Sequence, residues 1–274
     1  MADAEITSIK PGGSIASLDL AEIWKYRELL YFLTLRDIKI RYKQTLIGVT
    51  WVVLQPVLTT AIFTVIFSTF ARFDTKSVPY PLFALSGLCL WLFVHTSISL
   101  ASTSFVNNTS LITKVYFPRL IVPIAAALAT LFDLLFSLAI LVILMFYFGV
   151  SPTTQIFAAP LFVFLTLVLA IAFGTLFSAL NVRFRDVKFA LPFMLQVWMI
   201  ASPVFYPTNL LSEKLKLVFA LNPLTGILEG FRSALFGLPF DWQVIGISSA
   251  SLAVLTILSL FIFKKMEDKF ADLI

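Results

Sequence analysis

The chain holds 274 residues, of which 59% are hydrophobic and only 13% charged, with a mean hydropathy of +0.97; a water-soluble fold of this length is excluded. The apolar residues gather into several runs of about 20, the length that crosses a hydrocarbon core as helix. The net charge of +5 does not point to nucleic acid, because Lys and Arg stand beside the apolar runs instead of forming one basic face.

The first 42 residues are polar or amphipathic and contain no cleavable signal peptide, so the first span is expected to act as its own insertion signal. Leu20, Ile23, Trp24, Leu30 and Tyr31 share one helical face, with Asp19, Glu22, Lys25 and Glu28 elsewhere. This predicts an amphipathic helix in the membrane interface, opened by Asp19 and Glu22 as a capping box. It serves either as a docking surface for a cytoplasmic partner or as a plain anchor. Six spans follow, at 46–70, 82–105, 121–148, 156–181, 189–205 and 244–263. Cys89, the single cysteine, lies inside the second span, so one chain can build neither a disulfide nor a cysteine metal site. Assigning the Lys and Arg to loops puts fifteen of the twenty on the side of both termini, which predicts cytoplasmic termini.

Between the fifth and sixth spans, residues 206–242 remain apolar but are cut by Pro207, Pro223 and Pro239 into pieces too short to cross. Two short helices are predicted there, near 209–220 and 223–236, the second opened by Asn222 as cap with Pro223 in the first helical position. Helices of half-membrane length need protein or water over their ends, so the segment reads as a re-entrant gate on the outer side, or else as a lid lying flat on the membrane.

Catalytic chemistry has no foothold. No G-x-x-x-x-G-K-[ST] loop occurs, the ten glycines are scattered, His95 is the only histidine, and neither paired carboxylates nor H-E-x-x-H nor G-x-S-x-G is found. No catalytic residue, metal site or cofactor site is therefore expected within this chain. Asp133 sits mid-span, where a carboxylate costs about 2.5–3.5 kcal/mol on insertion scales, so something must face it. With Thr130 and Ser137 it forms a polar stripe that either meets a hydrated substrate or bonds a neighbouring helix; a lone acid disfavours proton coupling. Ala170, Gly174 and Ser178 make a small-residue packing strip. Thr96, Ser99, Ser102 and Thr103 form a wet face or bond back to their own helix. The chain is 15% aromatic, and Trp51, Phe63, Phe67, Trp91, Trp198, Phe205 and Tyr206 face lipid or core, or else stack on the C–H faces of sugar rings.

Three stretches carry a family resemblance: Arg36-Asp37-Ile38-Lys39-Ile40-Arg41-Tyr42-Lys43-Gln44-Thr45-Leu46-Ile47-Gly48 running to Leu54-Gln55-Pro56; Asn107-Asn108 to Phe117-Pro118-Arg119; and Asn181-Val182-Arg183-Phe184-Arg185-Asp186. Ser202-Pro203-Val204-Phe205-Tyr206-Pro207 and the tail Phe270-Ala271-Asp272 extend it over nearly the whole chain after about residue 18. In this order they resemble the transmembrane subunit of type-2 ABC exporters of O-antigen, capsular polysaccharide and wall teichoic acid. The resemblance implies an all-α, six-span homodimer, with residues 1–43 as a cytoplasmic segment and 44–274 as the transmembrane domain, in the bacterial cytoplasmic membrane. Its partners would be two copies of an ATP-binding subunit, which carry ATP and Mg, a lipid-linked glycan, and membrane lipid.

A coupling helix near 108–117 is implied, with Leu111, Ile112, Lys114, Val115 and Tyr116 meeting the ATPase beside Trp24 and Arg27. Glu229 and Arg232, with Asn222 and Pro223, would form the outer gate. Trp51, Phe63, Phe67, Trp91, Ser99, Asp133, Trp198 and Tyr206 are candidates to line a glycan channel. A shared fold leaves open a permease for a drug or small lipid, and an ATP-independent flippase or scaffold is told apart by whether an ATPase copurifies.

Overall fold

A computed structural model describes residues 20–43, 50–67, 78–267 and 270. Asp19 of the capping box, both ends of the first span, Arg72, Lys76 and the tail residues Ala271 and Asp272 lie outside the described residues. Everything described is helix, turn or loop, without a strand.

The chain opens with α1 (Leu20–Lys25) and α2 (Arg27–Lys43), joined at Tyr26, whose N–H reaches the carbonyls of Glu22 and Ile23 at 3.3 and 3.2 Å. The expected single helix is thus two pieces, α1 and α2, with a break at Tyr26. α3 (Thr50–Ile66) is followed by α4 (Tyr80–Asn107), short α5 (Thr109–Lys114) and α6 (Ile121–Tyr147). A 3₁₀ turn (Thr154–Ala158) leads into α7 (Ala159–Arg183), and α8 is Val187–Ile200. Then come α9 (Glu213–Ala220), α10 (Pro223–Phe236) and α11 (Trp242–Glu267).

Four helical stretches are long and apolar enough to cross a membrane: α4, α6, α7 with its 3₁₀ turn, and α11. They match the second, third, fourth and sixth expected spans. The described 17 residues of α3 and 14 of α8 measure about 26 and 21 Å at 1.5 Å per residue, short of a hydrocarbon core of about 30 Å. The fifth span, expected to run to Phe205, is helical only to Ile200 because the carbonyls of Pro203 and Val204 turn inward to a buried guanidinium.

α4 is the axis of the bundle. It packs against α3, α6, α7, α8 and α10, and most of its apolar stretch is buried, whereas that of α11 is mostly exposed and suited to lipid. The predicted small-residue strip works as expected at Gly174, where an added Cβ would come within 2.8 Å of the Ala101 Cβ on α4. Small polar contacts key the same helix to its neighbours. Asn181 of α7 donates to the Ser102 carbonyl at 2.9 Å, and the Cys89 thiol donates to the Ser137 carbonyl of α6.

The two ends of the bundle have separate apolar clusters. At one end Phe105, Ile112, Phe117, Ile121, Val182, Phe263 and Phe270 pack with Leu33 of α2. At the other, Tyr80, Phe83, Met145, Phe162, Phe205 and the buried face of α10 pack together. α10 begins and ends as its sequence dictates: the Asn222 side chain accepts from the Leu224 N–H at 3.2 Å, and Gly237 closes the helix at φ +68°.

Candidate functional site

At the α5 end, Ile112 is buried, Leu111 half-buried, and Lys114, Val115 and Tyr116 exposed. The short helix thus roots one side in the apolar cluster and leaves the other exposed. The stretch that follows is fixed as well. Arg119 donates to the Glu267 carbonyl at the end of α11, and its guanidinium lies 5.9 Å over the Phe270 ring. The segment after α5 is thereby tied to the end of α11. Trp24 is 71% exposed; Arg27 donates to its carbonyl and sits 5.9 Å over its ring. Tyr31 is also exposed, so the face expected to bury Trp24 and Tyr31 has no cover among the described residues.

Asp133 is answered from an unexpected quarter. Arg41, near the end of α2, places Nη1 2.7 Å from Asp133 Oδ2, and the Tyr42 hydroxyl donates to Oδ1. α2 therefore does not only lie at one end: it packs along α6 as far as that helix's middle. Thr130 leaves the expected stripe, since it is buried in a hydroxyl pair with Ser97, while Ser137 donates to the Asp133 carbonyl. Beside the ion pair opens a cavity of about 200 Å³, lined by Arg41, Tyr42, Trp51, Gln55, Thr96 and Asp133 together with apolar residues of α3 and α4.

Of the channel candidates, the fold brings Trp51 and Asp133 together at this cavity. The others engage in packing. Phe63 stacks on Phe67 at 5.7 Å and on Phe205 at 3.6 Å, and Trp91 meets Trp198 edge-on at 5.9 Å. Tyr206 donates to the Ile200 carbonyl. Ser99, Ser102 and Thr103 donate to the carbonyls of His95, Ser99 and Leu100 of their own helix, the back-bonding alternative to a wet face.

The gate candidates converge at the opposite end. Arg232 is 2% exposed. Its guanidinium donates to the carbonyls of Pro203 and Val204, each at 2.7 Å, more weakly to the Phe83 carbonyl and Ser86 Oγ, and lies 3.6 Å over the Phe83 ring. Glu229, three residues earlier, stands 3.9 Å away, so pairing between the two is secondary to the carbonyl cage. Gly87 makes room for it: a Cβ there would come within 2.5 Å of both Arg232 Nη2 and the Val204 carbonyl oxygen. Asn222 does more than cap, since it also accepts from Trp198 Nε1 at 3.0 Å and donates to Ser202 Oγ at 2.8 Å; Pro223 is buried beside it.

On the outer face of this end, Lys216 of α9 pairs with Asp241, the residue that caps α11 through the Val244 N–H. The bond to Asp241 raises the Lys216 ammonium above its ordinary value. Burial alone would raise the Asp241 carboxyl, but the bonds from Lys216 and the Val244 amide outweigh it and hold the carboxyl low.

The sequence profile of the ABC-2 type transporter membrane family matches residues 28–236. This chain belongs to that family. It is 28% identical over 256 residues to the O-antigen export system permease protein RfbA of Myxococcus xanthus, covering 92% of this chain and 97% of that protein. It is 26% identical over 248 residues to the RfbA permease of Klebsiella pneumoniae, covering 90% and 95%. To the polysialic acid transport protein KpsM of Escherichia coli it is 26% identical over 238 residues, covering 84% and 88%.

Three polar contacts of this ABC-2 permease were not anticipated from its sequence: the Arg41–Tyr42–Asp133 cluster, the carbonyl cage of Arg232, and the Lys216–Asp241 pair. Asp133 signalled that a partner was needed, because an acid in an apolar run demands one. Nothing local named that partner, 92 residues away, and neither of the other contacts had such a flag.

Proposed function

We propose that this permease is the membrane subunit of an ATP-driven exporter that carries a polyprenyl-diphosphate-linked, O-antigen-like polysaccharide across the bacterial cytoplasmic membrane. The observation that carries the reading is the near end-to-end likeness to O-antigen export permeases, which spans more than nine-tenths of both chains. Two copies form the passage and two copies of a separate ATP-binding subunit, holding ATP and Mg, drive it. α3 and α8 complete six crossings, α9 and α10 are re-entrant, and both termini are cytoplasmic beside the basic loops. The exposed apolar rows on α6 and α11, such as Leu135, Ile143 and Ile257, meet lipid or the second copy.

In this reading ATP-driven closure of the partner presses on Lys114, Val115 and Tyr116 of α5 and on Trp24 and Arg27. The aromatic cluster around Phe105 and Phe270 passes the displacement to the ends of α4, α6 and α11 as a rigid-body movement. The far end, where Arg232 and Asn222 hold α10 against α4 and α8, responds as the gate.

The test is surface glycan labelling in cells depleted of this protein, with lipid-linked glycan assayed inside. Loss of surface signal with polymer accumulating in the cytoplasm is the expected result. Unchanged signals in both compartments overturn it in favour of a small lipid or drug as cargo.

A further inference from the structure

The cavity beside Arg41 and Asp133 lies where α2, α3, α4 and α6 meet, and its polar rim contrasts with the apolar helices around it. Among the described residues Arg41 has Asp133 as its only polar partner, at 2.7 Å, and its Nη1 is not aligned for a hydrogen bond. A guanidinium carries five N–H donors, so most of these remain free for another acceptor. Trp51 and Gln55 stand one helical turn apart on α3 and line the same space, both exposed. A polar hollow among apolar helices takes an occupant that returns its hydrogen bonds.

Charge and size select the occupant. The Arg41 charge is already balanced by Asp133, so a phosphate or diphosphate would bring like charge against that carboxylate. A neutral polyhydroxylated ring meets complementary groups at the rim, where the carboxylate accepts from hydroxyls, the guanidinium and amide donate to them, and the indole covers a C–H face, while Leu92, Phe93 and Leu134 line the rest. The volume of about 200 Å³ falls below the roughly 300 Å³ at which drug-sized sites begin, and it suits a single ring.

We infer that this cavity is a subsite for one neutral pyranose unit of the exported glycan, held by Asp133, Arg41 and Gln55 and stacked on Trp51. The inference rests on the glycan-export reading above. Its hold is weak by design, because a polymer in transit needs stations that admit each unit and release it.

The test uses the complete exporter in cells. Val52, half-buried on the cavity wall, is changed to Cys in a Cys89→Ala background, and the rate of labelling by a membrane-permeant maleimide is compared with glycan synthesis on and off. Slower labelling with synthesis on, reversed when it is off, is expected. Equal rates, or a thiol that never reacts, overturn the subsite. As a second readout, Trp51→Leu lowers export roughly two- to tenfold at equal membrane abundance while Trp51→Phe restores it; export unchanged in both overturns the stacking role. If depletion of the permease leaves surface glycan intact, the export reading fails; if depletion abolishes it but the thiol is unprotected, only the subsite fails.

Discussion

Replacing Arg232 with Met tests whether the carbonyl cage holds the α10 end together. The Met side chain matches much of the volume but donates nothing, so the carbonyls of Pro203 and Val204, now bonded at 2.7 Å, are left unpaired in a buried setting at about 1–3 kcal/mol each. The cation over Phe83 is lost as well, worth about 2 kcal/mol when desolvated. Against this, the variant no longer buries a charge, a relief of several kcal/mol. The balance is a loss of about 3 kcal/mol, which lowers the melting temperature by roughly 6–12 °C for a chain of this size. Arg232→Lys keeps a charge and can still reach carbonyls but loses the planar stack, and should melt between the two. The assay is thermal unfolding of the purified permease in detergent, followed by tryptophan fluorescence. A Met variant that melts with the parent chain refutes the reasoning, since the cage would then contribute nothing.

The remaining predictions concern other regions. Leu111→Glu puts a charge at the half-buried root of α5 and should abolish copurification of an ATP-binding subunit while leaving membrane insertion intact; normal copurification and export refute a coupling role. Asp133→Asn leaves Arg41 without its carboxylate and should cost about 1–2 kcal/mol, discounted because both side chains are partly exposed, with export reduced in a surface-glycan assay. Gly230→Ala drives a Cβ into the Phe162 ring on α7 and should cost about 1–3 kcal/mol by overpacking, partly recovered by Phe162→Leu; thermal unfolding of the three variants checks this.

The Lys216–Asp241 clamp makes a pH prediction. Asp241 is held low in the folded chain, so its contribution is present above the ordinary carboxyl range and disappears as pH falls through the folded value; Lys216 is held high, so its contribution disappears as pH rises through its own. The clamp is therefore fully in force between the ordinary carboxyl and ammonium ranges and is lost only beyond them, and Asp241→Asn should flatten the acid limb of a melting-temperature profile.

Much of the architecture was legible without coordinates, because each step relied on local rules. Apolar runs of crossing length located α4, α6, α7 and α11, and Pro and Asn placed the start of α10 at Pro223 with Asn222 as its cap. The small-residue spacing around Gly174 correctly marked a close helix contact. The end of α8 was misplaced, since Ala201 to Phe205 is apolar enough to continue a span, but the carbonyls of Pro203 and Val204 are claimed by Arg232, 29 and 28 residues downstream. Which aromatic residues pack on one another was not legible. An aromatic residue in a span reads the same whether it faces a passage, lipid or another ring, and Phe63, Trp91 and Trp198 prove to be in ring contacts.

By itself, then, the sequence determined that the chain lives in a membrane, which stretches are helical, and which family it resembles, because hydropathy, helix caps and motif order act over a few turns of chain. Only the tertiary structure decided where the isolated charges go. Asp133 meets Arg41, Arg232 meets the carbonyls after α8, and Lys216 meets Asp241 because an ionised group removed from water must find a partner wherever the packed helices bring one within about 3 Å, and that distance is set by helix packing across the whole bundle.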